Sequence, residues 1–320
     1  MRSSHRADVT PTGPAGASGA GLGEGPPGHR SGFVAIVGQP NVGKSTLLNR
    51  ILGLKIAAVT PKPQTTRRQL LGIKTRPDAQ ILFVDTPGIH AARDLLNERM
   101  VEQALQSLSS ADAVLWLIDV RQGLQGGDRE VAAKLPPAPK PVLVALNKID
   151  GRPKASLLPL IAAVAELLPD REIVPISARS GTNVETLLSA IVAVLPEGPR
   201  YYPVDELTDA SERDIVAEIV REKVMLETRD EIPYAIAVTV DEFEDKPAKK
   251  LAVIKATIHV ARATHKPIVI GERGQRIKAI GQAARVDCEE LLGRRVYLEL
   301  FVRVQEDWPR SVARLREFGL

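Results

Sequence analysis

The chain is poor in cysteine and aromatic residues, and it lacks long apolar runs. Its 320 residues include one cysteine, Cys288, so no internal disulfide can form, which fits a reducing compartment. No apolar stretch approaches the roughly 20 residues that a membrane-spanning helix needs. We therefore expect no transmembrane segment, and we interpret Cys288 as a packed small apolar residue rather than a reactive thiol.

The first 30 residues lack the apolar side chains that a packed core requires, and 11 of them are Gly or Pro. Such a segment buries too little apolar surface to offset its chain entropy, so we predict a disordered tail over residues 1–30. A secretion signal would need an apolar segment of about 7–15 residues, which is absent there.

Acidic residues are scarce in one later segment. The net charge is +4, yet residues 246–282 hold nine Lys or Arg against one acidic residue, Glu272, so this segment carries +8 and the remainder −4. A positive segment on an otherwise acidic chain favours an anionic partner. A solvated lysine-rich face is the alternative.

From residue 33 onward, short apolar runs rich in β-branched residues alternate with helical patterns. The runs are FVAIVG, ILFVD, AVLWLID, PVLVALN and EIVPIS. This alternation predicts an α/β domain with a mostly parallel sheet, helices on both faces and ligands at the strand ends. After the proline-rich residues 195–209 the pattern becomes helix, two strands, two helices and a strand, which predicts a smaller α+β domain.

The octet GQPNVGKS, from Gly38 to Ser45, follows the strand FVAIV and opens the helix KSTLLNRIL. Its glycines let backbone N–H groups point at phosphate oxygens beside a helix N-terminus. In this pattern Lys44 should reach the β- and γ-phosphates, and Ser45 should hold Mg²⁺. The predicted phosphate-binding residues are Gly38, Gln39, Pro40, Asn41, Val42, Gly43, Lys44, Ser45, Thr46 and, farther along, Gly88.

Three further motifs follow strands. Asp85 begins DTPG, where a carboxylate can bind Mg²⁺ and Gly88 can meet a γ-phosphate. In NKID, Asp150 can accept from the adjacent N1–H and 2-amino donors of guanine, which adenine lacks, so an ATPase is disfavoured. ISAR can present a backbone N–H to the guanine O6. The predicted guanine-binding residues are Asn147, Lys148, Asp150, Ser177 and Ala178.

The segment VIGERGQRIKAIG contains the G-x-x-G pattern of a KH loop, which clamps about four nucleotides of single-stranded nucleic acid. The pattern alone is usually a turn, but here it lies within the positive segment and the α+β order. Aromatic residues make up 3% of the chain, so RNA recognition should rely on groove and edge contacts rather than stacking. The predicted RNA-binding residues are Lys266, Ile270, Gly271, Glu272, Arg273, Gly274, Arg276 and Lys278.

Over residues 32–320 these motifs resemble the Era family of GTPases. The resemblance rests on GQPNVGKSTLLN, KPQTTRRQ, VDTPGIH, NKID, PISA, SERDIVAEIVREKVM, EIPYAIAV and VIGERGQRIKAIG. It implies an α/β P-loop GTPase domain over residues 31–197, a linker over 198–210 and a type-2 KH domain over 211–320. It also implies GTP or GDP with Mg²⁺, and a role in small ribosomal subunit assembly through binding of small-subunit ribosomal RNA near its 3′ end.

The same resemblance implies a cytoplasmic protein, partly associated with the inner face of the cell membrane, and we expect a monomer. It places two switch segments in the GTPase domain. The first switch comprises Gln64, Thr65, Thr66, Arg67 and Arg68, and the second comprises Asp85, Thr86, Pro87, Gly88 and Ile89. A threonine of the first switch should join Ser45 and Asp85 around Mg²⁺, and we favour Thr66 over Thr65.

Catalysis is where the chain departs from well-known GTPases. Ile89 stands where those enzymes carry a glutamine that orients the attacking water. A histidine on such a loop is more often solvated than catalytic, so we interpret His90 as a solvated side chain rather than a base. We therefore expect slow intrinsic hydrolysis that bound RNA or ribosome accelerates. Asn41 is either a K⁺ ligand, as in related GTPases, or a plain turn residue. The alternative function is an RNA-binding assembly factor in which GTP is mainly structural and hydrolysis is incidental. The presence of Lys44 in the phosphate loop favours a GTP-hydrolysing enzyme.

Overall fold

The computed structural model describes residues 25–62, 65–86, 95–229 and 232–320. The strands are β1 Arg30–Gly38, β2 Leu70–Thr75, β3 Ala79–Asp85, β4 Ala113–Asp119, β5 Val142–Asn147, β6 Ile173–Pro175, β7 Ile236–Lys246, β8 Leu251–Val260 and β9 Arg295–Val304. The α-helices are α1 Lys44–Leu52, α2 Leu95–Ser110, α3 Gly126–Ala132, α4 Leu158–Leu167, α5 Val184–Val194, α6 Glu212–Glu227, α7 His265–Ile270, α8 Gln275–Leu292 and α9 Val312–Glu317. None of these helices is long and apolar enough to cross a membrane.

The first sheet has the order β2-β3-β1-β4-β5-β6, and only the pairing of β2 with β3 is antiparallel. Successive side chains of β4 point to opposite faces, so Leu115 and Leu117 pack with α1 and α5, whereas Val114 and Trp116 pack with α2, α3 and α4. The prediction of a mostly parallel sheet covered on both faces is confirmed. The carboxyl ends of β1, β3, β4 and β5 therefore meet at one edge.

Three elements differ from the sequence expectation. Strand β2 lies between α1 and β3, where no strand was predicted; its Leu71 and Ile73 pack with Leu82 and Val84 of β3. Helix α9 was not predicted because it spans only six residues. Strand β1 starts at Arg30, inside the segment assigned to the tail, while residues 1–24 of that tail lie outside the described residues.

The second sheet has the order β7-β8-β9, with β7 antiparallel and β9 parallel to β8. Helices α6 and α8 pack on it through buried residues such as Ile219, Ile280 and Cys288. The predicted order of helix, two strands, two helices and strand is confirmed. Cys288 is fully buried, which raises the pKa of its thiol to about 12, as expected for a packed apolar residue.

Candidate functional site

The loop between β1 and α1 has the left-handed backbone that its glycines permit. Gly38, Asn41 and Gly43 have φ angles of 151°, 62° and 105°. A Cβ on Gly43 would lie 2.3 Å from Nδ2 of Asn147, so only glycine fits between the two loops. The loop lines an open cleft of about 460 Å³, together with residues of the 58–66 segment and Lys148.

Lys44 lies almost fully buried in this loop, where its Nζ donates to the carbonyl oxygens of Gly38 and Gln39 at 3.2 Å. Burial lowers the pKa of Lys44 to about 8, although the charge of Asp85 opposes the change. Burial likewise raises the pKa of Asp85, against the charge of Lys44 and the hydroxyl hydrogen bonds. A buried ammonium whose hydrogen-bond partners among the described residues are carbonyl oxygens is suited to receive an anion such as a phosphate.

Three oxygen atoms converge beside Lys44. Oγ of Ser45 lies 2.9 Å from Oγ1 of Thr66 and donates to Oδ2 of Asp85 at 2.9 Å, while Oγ1 of Thr66 lies 3.3 Å from that Oδ2. Oδ1 of Asp85 is buried and has no hydrogen-bond partner among the described residues. Hydroxyl and carboxylate oxygens are hard ligands, so this set fits Mg²⁺ with water and phosphate oxygens completing its shell.

The structure distinguishes the two threonines of the first switch. Oγ1 of Thr65 donates to the carbonyl oxygen of Lys62 at 2.7 Å and pairs with Oγ1 of Thr60, whereas Thr66 reaches the oxygen cluster. Within the described residues no group of three or more His, Cys, Asp or Glu could hold a metal ion. A magnesium site in this part of the chain therefore depends on hydroxyl ligands with one carboxylate.

Asn147 connects three loops at the sheet edge. Its Nδ2 donates to the carbonyl oxygen of Val42 at 2.8 Å, and its Oδ1 accepts from the backbone N–H groups of Ala178 at 2.9 Å and Lys148 at 2.8 Å. Nζ of Lys148 donates to the carbonyl oxygen of Asn41 at 2.6 Å. The Ala178 N–H, a predicted donor to guanine O6, is thus engaged by Asn147, and a guanine would share or displace that bond.

Asp150 lies at the opening of the same edge. Its Oδ1 accepts from Oγ of Ser177 at 2.5 Å, and its Oδ2 lies 3.8 Å from Nη2 of Arg121. The side chain of Asp150 is 27% exposed, so a base that approaches this edge could reach its carboxylate. Arg121 was not predicted; its position two residues after β4 was the available signal, because strand ends form the binding edge.

Other predicted site residues contact groups outside the oxygen cluster or lie outside the described residues. Thr86 is buried, and its Oγ1 donates to the carbonyl oxygen of Ile36 at 2.8 Å. Arg67 and Arg68 point to the second domain. The side chain of Gln39 hydrogen-bonds to Asp128. The predicted residues outside the described part are Gln64, Pro87, Gly88, Ile89 and His90.

The G-x-x-G loop lies between α7 and α8. Gly271, Arg273 and Gly274 have φ angles of 75°, 48° and 76°. A Cβ on Gly271 would lie 2.6 Å from Cβ of Arg276, whereas Gly274 faces open space. A nucleic-acid backbone can therefore approach closely at the N-terminus of an 18-residue helix.

Some side chains around this loop are exposed, and one forms a hydrogen bond within the loop region. Lys266, Glu272, Arg273 and Lys278 are exposed, and Ile270 is half-buried. Arg276 instead donates through Nη1 to the carbonyl oxygen of Ile268, so it braces the turn. Ile268 itself is exposed over 42% of its surface and was not among the predicted residues.

The same two units are found in known proteins. A family model described as "50S ribosome-binding GTPase" matches residues 33–148, and a KH domain model matches residues 231–309. GTPase Era of Geobacter metallireducens is 51% identical over 290 residues, covering 91% of this chain and 97% of that protein. GTPase Era of Staphylococcus haemolyticus is 45% identical over 291 residues, covering 91% and 97%.

Two solved structures of Era proteins are also similar to this chain. An Era variant from Aquifex aeolicus bound to GDP·AlF4⁻ superposes with a TM-score of 0.87 at 47% identity, covering 91% of this chain and 99% of that one. Era in complex with MgGDPNP and nucleotides 1506–1542 of 16S ribosomal RNA gives a TM-score of 0.87 at 48% identity, with the same coverage. The matches cover 91% of this chain at 45–51% identity, and the chain therefore belongs to the Era family of GTPases.

Proposed function

We propose that the chain is a GTP-hydrolysing switch that binds small-subunit ribosomal RNA near its 3′ end and assists assembly of the small ribosomal subunit. The proposal rests on the presence of two sites in one chain. One is the candidate guanine site around Asn147 and Asp150, and the other is the open G-x-x-G loop at Gly271 to Gly274. An Era relative that is 48% identical has been solved with MgGDPNP and a 16S ribosomal RNA fragment.

In this proposal each side chain at the nucleotide-binding edge has a separate role. Asp150 accepts from guanine, and Asn147 fixes the distance between the base loop and the phosphate loop. Lys44 balances phosphate charge, which would also restore its pKa toward the usual lysine range. Ser45, Thr66 and Asp85 would hold Mg²⁺, which supplies charge neutralisation between the phosphates when bound.

We propose that intrinsic hydrolysis is slow and that RNA accelerates it, because Ile89 offers no hydrogen bond to an attacking water. Asn41 is the candidate K⁺ ligand. Its Nδ2 donates to the carbonyl oxygen of Pro61 at 2.7 Å, so its Oδ1 is the atom that could bind a cation. A K⁺ ion there would neutralise transition-state charge. Equal hydrolysis rates in potassium and in sodium would remove Asn41 from this role.

The RNA-binding proposal is tested by placing a carboxylate in the G-x-x-G loop. The double variant Gly271→Asp with Gly274→Asp should abolish binding of a single-stranded RNA with the 3′-terminal small-subunit sequence, because like charges repel and the close approach is lost. GTP affinity should not change, since a Cβ on Gly271 meets Arg276 and one on Gly274 faces open space, away from the phosphate loop.

Gly293→Asp is the matched control. Gly293 caps the C-terminus of α8, has a φ of 61° and faces open space, so its aspartate adds one of the two carboxylates that the double variant adds, with similar backbone strain, about 27 Å from the loop. The control should retain RNA binding. RNA binding by the double variant at the wild-type level, or an equal loss in the control, would contradict the assignment of the loop.

We further propose the domain bounds 31–197 and 211–320 with a linker over 198–210, a monomer in solution, and a cytoplasmic location with peripheral association at the inner membrane face. Size-exclusion chromatography with light scattering tests the monomer, since a dimer would double the mass of 34.6 kDa. Flotation with anionic vesicles tests membrane association, and its absence would restrict the protein to the cytoplasm.

A further inference from the structure

The segment that carries Thr66 is tied to the second domain on both sides of that residue. We propose that Arg67 and Arg221 are positioning residues for GTP hydrolysis, which hold Thr66 against Ser45 and Asp85 by anchoring its flanking peptides to the second domain. The inference rests on the proposed role of Thr66 as a magnesium ligand. It gives a role to Arg67 of the predicted first switch and adds Arg221 of α6, which no motif of the nucleotide site includes.

Arg67 enters a pocket of the second domain and is 2% exposed. Its Nη2 donates to the carbonyl oxygen of Pro233 at 2.9 Å and its Nη1 to that of Ile236 at 2.5 Å, while its guanidinium lies 5.9 Å from the ring centroid of Trp308. Trp308 is fully buried, and its Nε1 donates to the carbonyl oxygen of Ala235 at 3.2 Å. A planar guanidinium satisfies two carbonyl groups and a ring face together, which a lysine cannot.

Arg221 of α6 holds the peptide on the other side of Thr66. Its Nη2 donates to the carbonyl oxygen of Thr65. The arginine is itself fixed, because its Nε donates to Oε1 of Glu218 at 2.9 Å and its Nη1 donates to Sδ of Met225 at 3.1 Å. The carbonyl immediately before Thr66 is therefore held by a buried side chain with an ion-pair partner on its own helix.

Anchors before and after a residue leave its backbone little freedom, so the hydroxyl of Thr66 is brought to the oxygen cluster by the two arginines rather than by its own contacts alone. The conformational entropy lost when the backbone of one residue is fixed changes an equilibrium constant by a factor of about five to thirty. Preorganisation of this kind lowers the entropy lost when the reacting groups assemble. Removal of either arginine should therefore raise the Mg²⁺ concentration needed for half-maximal hydrolysis by about five- to thirtyfold.

Two control positions separate this role from general docking of the domains. Arg213 lies on the same helix as Arg221 and places its guanidinium 5.9 Å from the ring of Phe243, entirely within the second domain. Lys55 joins the domains through Nζ, 2.6 Å from carboxylate oxygens of both Glu222 and Asp287, but it does not contact the peptides that flank Thr66.

The experiment uses the full chain with Arg67→Met, Arg67→Lys, Arg221→Met and Arg221→Lys, beside the controls Arg213→Met and Lys55→Met. Amide hydrogen exchange of residues 65–69 is measured in the nucleotide-free protein, and single-turnover GTP hydrolysis is measured as a function of Mg²⁺ concentration. The two methionine variants of the anchors should exchange about five- to thirtyfold faster, and half-saturation should need correspondingly more Mg²⁺. Arg221→Lys should recover more than Arg67→Lys, because Arg221 donates one bond to the segment.

GDP affinity should stay within about twofold of wild type in all variants, because the phosphate loop and Asp150 are unchanged; this also shows that the variants fold. Unchanged exchange at residues 65–69 in the anchor variants, or an equal increase in Lys55→Met, would overturn the proposal. Faster exchange with no change in the Mg²⁺ requirement would also overturn it. Failure of the proposed function would instead appear as absence of GTP hydrolysis by the wild-type chain, a result that leaves the exchange measurement unaffected.

Discussion

Replacing Asn147 by aspartate changes one atom of the side chain that joins the phosphate loop to the base loop. Nδ2 of Asn147 donates to the carbonyl oxygen of Val42 at 2.8 Å, while Oδ1 accepts two backbone N–H groups. Aspartate keeps the two accepted bonds but turns an oxygen toward the Val42 carbonyl. The phosphate loop, whose Gly43 lies directly against Nδ2, should then move away from the base loop.

The size of the effect follows from burial, since Asn147 is 1% exposed. Removing the donated hydrogen bond leaves the buried carbonyl oxygen of Val42 unsatisfied, which costs about 1–3 kcal/mol. This cost corresponds to a loss of about 5- to 150-fold in affinity for guanine nucleotides, because the phosphate loop and the base loop both bind the nucleotide. The six-stranded sheet should remain folded, because both accepted bonds persist.

Asn183→Asp is a matched control. Nδ2 of Asn183 also donates to a backbone carbonyl, that of Pro175, at 2.8 Å, but at an exposed position beside α5. Its change should alter the free energy of unfolding by about 0.5 kcal/mol or less and leave nucleotide affinity intact. The assay is titration of a fluorescent GDP analogue together with urea unfolding. Affinity of Asn147→Asp within about threefold of wild type, or an equal loss in Asn183→Asp, would show that the Asn147 hydrogen bond does not hold the phosphate loop for binding.

Two further predictions concern single side chains. Asp150→Asn should shift nucleotide preference from GTP toward xanthosine triphosphate, because an amide can donate to the C2 oxygen of xanthine; competition binding measures the shift, and retained GTP preference would contradict the base assignment. Cys288 should remain unreactive toward a thiol reagent at pH 8 in the folded protein, because burial raises its pKa to about 12. Reaction should follow urea unfolding, and rapid reaction of the native chain would show that the helix packing around Cys288 is wrong.

The strand-end motifs were predictable from sequence because each functional group lies within a few residues of the strand that positions it. Strand β2 and helix α9 were missed because they are six residues long and show little periodicity. The anchoring of the first switch could not be predicted from local sequence. Arg221 and the Thr65 carbonyl that it binds are 156 positions apart, and only the docking of the second domain brings them together.

The central claim is that the RNA-binding end of the chain controls hydrolysis at the nucleotide end. Single-turnover GTP hydrolysis with and without small ribosomal subunits tests it most directly. We predict an increase of about tenfold or more with subunits, equivalent to about 1.4 kcal/mol of barrier, and loss of that increase in the Gly271→Asp, Gly274→Asp variant. Equal rates with and without subunits would contradict it.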